Sequence, residues 1–303
     1  MSASKKLLVI CTPLVLAACG GGGGGSGSSS TLAPFVKWSS VAAGSTYAIS
    51  GDSIQGTYTW NSGTDRLTAV TRGSQEAGAT FTETFNSSGI VQSVRIQTAS
   101  GTDISFARGA DTFGVLLINN DINAVISADQ TRYALAPEPT AMGWEYQSFG
   151  VWVTGAGTGS GTYGAASIGA ATAGSSVPVT GTATFTGYTG GRYVASDGSY
   201  YFTSSNMSAV TDFAARSLAF ATTSTAITPN LLTQSAASTL NMTGALTYTS
   251  GSNQFTGNVS TTGGLTGTAT GRFYGPTAQE IGGTFGVTGA GVTTYGGAFG
   301  GKR

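Results

Sequence analysis

A chain of 303 residues with 48 glycines, 9 % charged residues and no histidine is poor in helix formers and rich in what suits strands and turns. The missing histidine removes the usual general base near neutral pH, the commonest zinc and haem ligand, and every Ser-His-Asp or Cys-His device. The overall charge is zero, and setting aside Lys5 and Lys6 leaves eleven basic against thirteen acidic residues, a balance that excludes nucleic acid as a partner.

The chain opens with Lys5 and Lys6, an apolar stretch at residues 7–18 and the small-residue run Leu16-Ala17-Ala18-Cys19, the layout of a bacterial secretory signal. The stretch is shorter than the roughly 17–25 residues of a membrane-spanning helix. It therefore predicts a cleaved signal at 1–18 and a lipid on Cys19, which anchors the chain to a membrane. Gly20 follows Cys19 where lipoproteins retained at the inner membrane carry Asp, so the expected destination is the outer membrane and the cell surface. Cys11 leaves with the signal and no disulfide remains. Residues 19–34, with the run GGGGGGSGSSS at 20–30, read as a tether; the run itself has a reach on the order of 18 Å.

Ordered sequence is expected from Phe35 in short alternating segments at 57–60, 80–85 and 91–96, each bounded by Gly, Asn or Ser. The run Val115-Leu116-Leu117-Ile118 reads as a buried strand. Pro137-Glu138-Pro139 breaks the chain, and an aromatic-rich strand resumes at 144–152. A smaller β-rich domain is therefore expected at 35–142, then a connecting strand and Gly/Ala-rich linker at 143–174. Within that linker, Gly159-Ser160-Gly161-Thr162-Tyr163-Gly164 satisfies G-x-G-x-x-G. A dinucleotide site also needs a following helix and an acidic residue about 20 positions on, whereas no Asp or Glu occurs until Asp197. The stretch reads as flexible chain, and no cofactor is expected.

From residue 175 to the end the pattern becomes regular, with alternation plain at 183–188 and 240–248 and a turn at Ser250-Gly251-Ser252-Asn253. Consecutive strands with tight turns form a meander, and eight of them closed into a barrel hide the sheet edges. The fold class is therefore all-β, an eight-stranded antiparallel barrel at 175–303 preceded by the smaller β domain. The charge is split between the two: ten acidic and six basic residues lie between 34 and 174, three acidic and five basic beyond.

The phrase at 271–285, GRFYGPTAQEIGGTF, and the ending GAFGGKR at 297–303 resemble the C-terminal barrel of the transferrin-binding protein B family. The likeness extends more loosely from Trp144 to Arg303, and residues before Trp144 share only the general character of the handle-like domain that precedes such barrels. It implies a surface lipoprotein of the iron-acquisition or host-factor-binding type, whose relatives capture transferrin, lactoferrin, haemoglobin or complement regulators. Full members have two lobes of handle plus barrel; this chain has room for one. Within the phrase, Tyr274, Gly275, Pro276, Glu280, Gly282, Gly283 and Phe285 read as a folding element: Pro276 fixes φ in the turn, Glu280 accepts from turn amides, and Gly282-Gly283 permits close packing or a bulge where Phe285 turns inward.

The function these features imply is a non-catalytic, monomeric, lipid-anchored binding protein, with a protein or haem-type ligand as partner beside the membrane. Its candidate contacts are Tyr188, Tyr193, Tyr200 and Tyr201. A haem ligand would need Tyr200 or Tyr201 as axial donor, because histidine is missing. A glycan-cleaving enzyme would rest on carboxylate pairs such as Asp103 with Asp111 or Glu138 with Glu145; isolated surface carboxylates of this kind are more often solvated charges. A structural envelope lipoprotein without a specific ligand is the alternative.

Overall fold

The computed structural model describes residues 9–10, 33–116, 119–229 and 233–303, and within them period-two alternation builds two sheets. The first contains β1 (Thr46–Asn61), β2 (Ser74–Phe85), β3 (Val91–Gln97), β4 (Asp103–Ala107), β5 (Thr112–Leu116), β6 (Asn119–Ile126), β7 (Tyr133–Pro137), β8 (Gln147–Val153) and β9 (Ser160–Gly169). Their order in space is β5-β6-β7-β8-β9-β1-β2-β3-β4, antiparallel throughout. β4 and β5 stand at opposite ends of this order yet follow one another in the chain. A flat sheet would separate them by roughly 38 Å at ~4.8 Å per strand, whereas the peptide units from Ala107 to Thr112 span at most about 18 Å. The sheet therefore curls until its ends approach, and its inner face encloses Trp38, Ile49, Phe81, Phe85, Ile96, Phe106 and Trp152.

The second sheet contains β10 (Thr182–Ala195), β11 (Tyr200–Asp212), β12 (Ser217–Thr228), β13 (Met242–Thr247), β14 (Gln254–Thr261), β15 (Thr266–Tyr274), β16 (Glu280–Gly289) and β17 (Val292–Lys302). Each strand pairs with the next, and β17 returns to pair with β10, so eight antiparallel strands close into a barrel. The interior is filled by aromatic rings. Phe273 lies 5.2–6.2 Å from Phe185, Phe213, Tyr248 and Phe255, and Phe299 packs at a tilt against Phe220 at 5.0 Å. The barrel is thus a packed core rather than a lumen.

Alternation gives way to continuous burial where the two sheets meet. Every residue of β8 is buried, as are 163–168 of β9, 51–54 of β1 and 280–287 of β16. β16 and β17 pack against β1, β8 and β9, so these strands are covered on both faces. This corrects the reading of 143–174 as connection and linker: β8 and β9 are central strands of the first sheet. Their small residues are a packing requirement. A Cβ on Gly164 would lie 2.2 Å from the Trp152 indole. Likewise, Pro137-Glu138-Pro139 is no domain boundary, since β7 and β8 on either side of it are paired neighbours. The segment instead starts a one-turn helix, α1 (Pro139–Met142), whose N-terminal amide at Thr140 is accepted by the Glu138 carboxylate and which ends at Gly143 with φ 66°.

Val115 and Leu116 belong to β5, while Leu117 and Ile118 lie outside the described residues, as do Cys19 and the run 20–30. Val9–Ile10, inside the stretch read as signal, pair with Leu116 and Val115 on the edge of β5, an edge that removal of that stretch would leave open. Among the described residues no helix is long and apolar enough to cross a membrane.

Candidate functional site at the junction of sheet and barrel

The phrase at 271–285 docks the barrel on the first sheet. Glu280 is buried, and its carboxylate accepts from the amides of Glu145 (2.6 Å), Tyr146 (2.9 Å) and Gln147 (3.0 Å). These amides lead into β8, so Glu280 serves the partner sheet rather than its own turn. Burial raises its pKa above the ordinary carboxylate value, and the three amides pull partly against that rise. The Tyr274 hydroxyl lies 3.1 Å from Ser167 Oγ. Gly275 (φ 85°) donates to Ala170 O and accepts from Thr172 Oγ1, and a Cβ there would strike the Tyr146 ring. Pro276 occupies the turn that follows. A Cβ on Gly282 would lie 2.4 Å from Ser167 Oγ, and one on Gly283 2.1 Å from Thr270 O. The β15–β16 register runs without a shift, so these glycines serve close approach and not a bulge. Phe285 points inward, 5.1 Å from Tyr295.

Around this phrase, Arg272 binds Asp52 through two bonds of 2.6 and 2.7 Å, and Gln75 joins Thr284 O at 2.8 Å and Thr268 at 3.1 Å. Arg192, buried, lies over the rings of Tyr200 (4.8 Å), Phe202 (5.5 Å) and Tyr58 (5.9 Å). These contacts hold sheet and barrel in one geometry and leave a groove beside them.

That groove has a volume of about 340 Å³. Its floor is Gly190 and Gly191 of β10 against Phe149 and Val151 of β8, and a Cβ on Gly190 would come within 3.1 Å of the Phe149 ring. The sheet side adds Leu135 and Met142; the barrel side adds Phe202, Ser204, Asn206 and Thr228. Among the described residues no charged one lines it. An apolar floor with hydroxyl and amide groups along one wall accommodates an apolar group bearing uncharged hydrogen-bonding atoms.

Of the four tyrosines singled out from sequence, Tyr188 stands at the groove and is 47 % exposed. Tyr200 is turned into the junction under Arg192, its hydroxyl donating to Asp65 Oδ1 at 3.2 Å and its pKa pushed up to about 12, chiefly by burial. Tyr193 and Tyr201 pair with each other at 6.0 Å, and Tyr193 packs on Tyr295 inside the barrel at 6.3 Å. Neither Tyr200 nor Tyr201 lines the groove, so the axial donors a haem reading would need are not placed there. Phe149, Phe202 and Met142 were not singled out. Phe202 was accessible by parity, because Tyr200 and Phe202 share the outer face of β11 while Tyr201 faces inward.

The carboxylates considered for catalysis serve local structure. Asp103 holds Arg95 at 2.6 and 2.8 Å, Asp111 accepts from the amides of Ala107 and Ala128, Glu138 accepts from Asn123 and Thr140, and Glu145 accepts from Ser39 N. Among the described residues no group of three or more Cys, Asp or Glu is placed to hold a metal ion.

No curated protein matches the chain at a significant level. Solved structures that resemble it include a Trp-176-Ala mutant of the vaccine antigen Transferrin Binding Protein B from Haemophilus parasuis Hp5, at 12 % identity over 84 % of this chain and 76 % of that one, with a TM-score of 0.41. The haemoglobin receptor HpuA from Kingella denitrificans matches at 18 % identity over 90 % and 93 %, TM-score 0.41. Transferrin binding protein B from Neisseria meningitidis matches at 11 % over 86 % and 77 %, TM-score 0.34. Residues 177–303 match the family described as the C-lobe and N-lobe β-barrels of Tf-binding protein B, and these residues include all eight strands of the closed barrel. It is through this barrel, residues 177–303, that the chain matches the transferrin-binding protein B family.

Proposed function

We propose that this chain is a lipid-anchored outer-membrane protein that displays a binding surface at the cell exterior and captures a protein ligand through the groove between sheet and barrel. The observation that carries the reading is the uncharged, largely apolar groove of about 340 Å³ with the exposed Tyr188 beside it, in a protein whose barrel interior is filled. A side chain or loop of the partner enters the groove, and Tyr188 supplies a rigid amphipathic contact at its rim. The names of the similar proteins point to an iron-carrying host protein, transferrin or haemoglobin, as the first partners to examine.

Immobilised protein lacking the signal and lipid is expected to capture one of these two purified proteins. Tyr188→Ala is expected to weaken capture by roughly tenfold or more, the effect of removing an interface anchor, and Ser224→Trp, at a β12 residue that lines the groove, to block it by filling the groove. Failure of both proteins to bind would support the structural envelope alternative. Binding that both variants leave unchanged would place the contact surface elsewhere.

The anchor in this proposal is Cys19. An acyl chain contributes about 0.8 kcal/mol per buried CH₂, and no other segment read from the sequence holds a bilayer. Cys19→Ser is expected to move the protein from the detergent phase to the aqueous phase, or to leave an uncleaved precursor, on Triton X-114 partitioning. A cleaved Cys19→Ser variant that stays in the detergent phase would overturn the assignment.

A further inference from the structure

Inside the curled first sheet, on the opposite face of β7 and β8 from the groove, lies a second cavity of about 90 Å³. It exists because β7 and β8 present small residues inward, Ala134, Ala136, Ser148 and Gly150, opposite the large side chains of β2. On that face of β2, Ala79, Phe81 and Phe85 are core residues, and Glu83, half-buried, takes the remaining inward place. The alternation of β2 thus turns one carboxylate toward an apolar interior, which is costly unless something compensates. Glu138, the charged neighbour across the cavity, is already engaged by Asn123 and Thr140 and adds like-charge repulsion.

We propose that this cavity is a binding site for a small amphiphilic cation, an alkylammonium group, whose head pairs with Glu83 beside Glu138 and whose short chain packs against Phe81, Val94 and Phe113. The small, mostly apolar cavity and its two carboxylates favour this class. A neutral apolar ligand leaves the Glu83 carboxylate without a counter-charge, an anion is repelled, and a hydrated metal ion finds a mostly apolar wall, with Asn123 and Ser148 as its uncharged polar side chains. Without a ligand, Glu83 compensates by keeping its proton: burial first, then Glu138, push its pKa up to about 7. Leu135, Ala136, Pro137, Phe149 and Val151 line both cavity and groove, whereas Glu83, Glu138, Phe81, Val94 and Phe113 line the cavity and not the groove.

Butylammonium, 1-butanol and butyrate serve as probes on the mature protein. Butylammonium is expected to raise the melting temperature saturably, with 1-butanol at least tenfold weaker and butyrate inert at equal ionic strength. Because the cation replaces the Glu83 proton, its affinity rises between pH 6 and 8, and calorimetry in buffers of different ionisation enthalpy shows proton release. Glu83→Gln should lose the preference for the cation, and Ala134→Leu, which fills the cavity while leaving Glu83 in place, should abolish binding. The sign for the free protein is fixed as well. A folded pKa raised from 4.5 toward about 7 makes the wild type lose stability as pH rises through that window and no further above it. Glu83→Gln should therefore melt higher than wild type at pH 8 and not at pH 4. Equal responses to butylammonium and 1-butanol, or an undiminished cation response in Glu83→Gln, would overturn the proposal.

Discussion

Truncation after Gly291 is expected to abolish cooperative folding. The segment removed contains β17, which pairs with β10 on one side and β16 on the other, so its loss opens the barrel and exposes two rows of backbone groups. Tyr295 and Phe299 leave the core with it. Removing a large buried aromatic side chain costs about 3–5 kcal/mol, and each unpaired buried polar group about 1–3 kcal/mol more. Together these exceed the roughly 5–15 kcal/mol that holds a domain folded. The truncated chain should aggregate or show ANS-binding, non-cooperative melting, whereas deletion of residues 20–30 should leave the melting curve in place. A soluble, monomeric 1–291 chain with a sharp transition would show that closure does not stabilise the barrel.

Glu280→Leu is expected to be the most damaging single substitution at the junction. It leaves the amides of Glu145, Tyr146 and Gln147 buried without their acceptor and replaces a compact polar contact with a branched side chain. Each buried amide left without an acceptor costs about 1–3 kcal/mol. Glu280→Gln retains one carbonyl acceptor and should cost less than half of their sum. Hydrogen exchange separates a local from a global effect: the amides at 145–147 should lose protection in Glu280→Leu before the strands of the barrel do. Unchanged protection at these three amides would show that the carboxylate is dispensable for docking.

Much of the architecture was legible in the residues alone. Alternation at 183–188 and 240–248 is a local property of a strand with one face buried, and the phrase at 271–285 is tied to a barrel by its resemblance to the transferrin-binding protein B family. Parity along 200–202 already separates Tyr200 and Phe202 from Tyr201. The stretch at 155–176 shows where local reading stops. Small residues are favoured both where a chain is flexible and where two faces are so closely covered that nothing larger fits, and only the packing of β9 between Trp152 on one side and the barrel on the other decides between them. The same holds for Glu280, whose acceptor role was legible but whose partners lie at the start of β8 and just before it, more than a hundred residues away. The groove is a tertiary product as well. Phe149 and Phe202 sit in unremarkable strand patterns, and they face one binding surface only because the curled sheet and the closed barrel meet there, at a distance along the chain that no local periodicity spans.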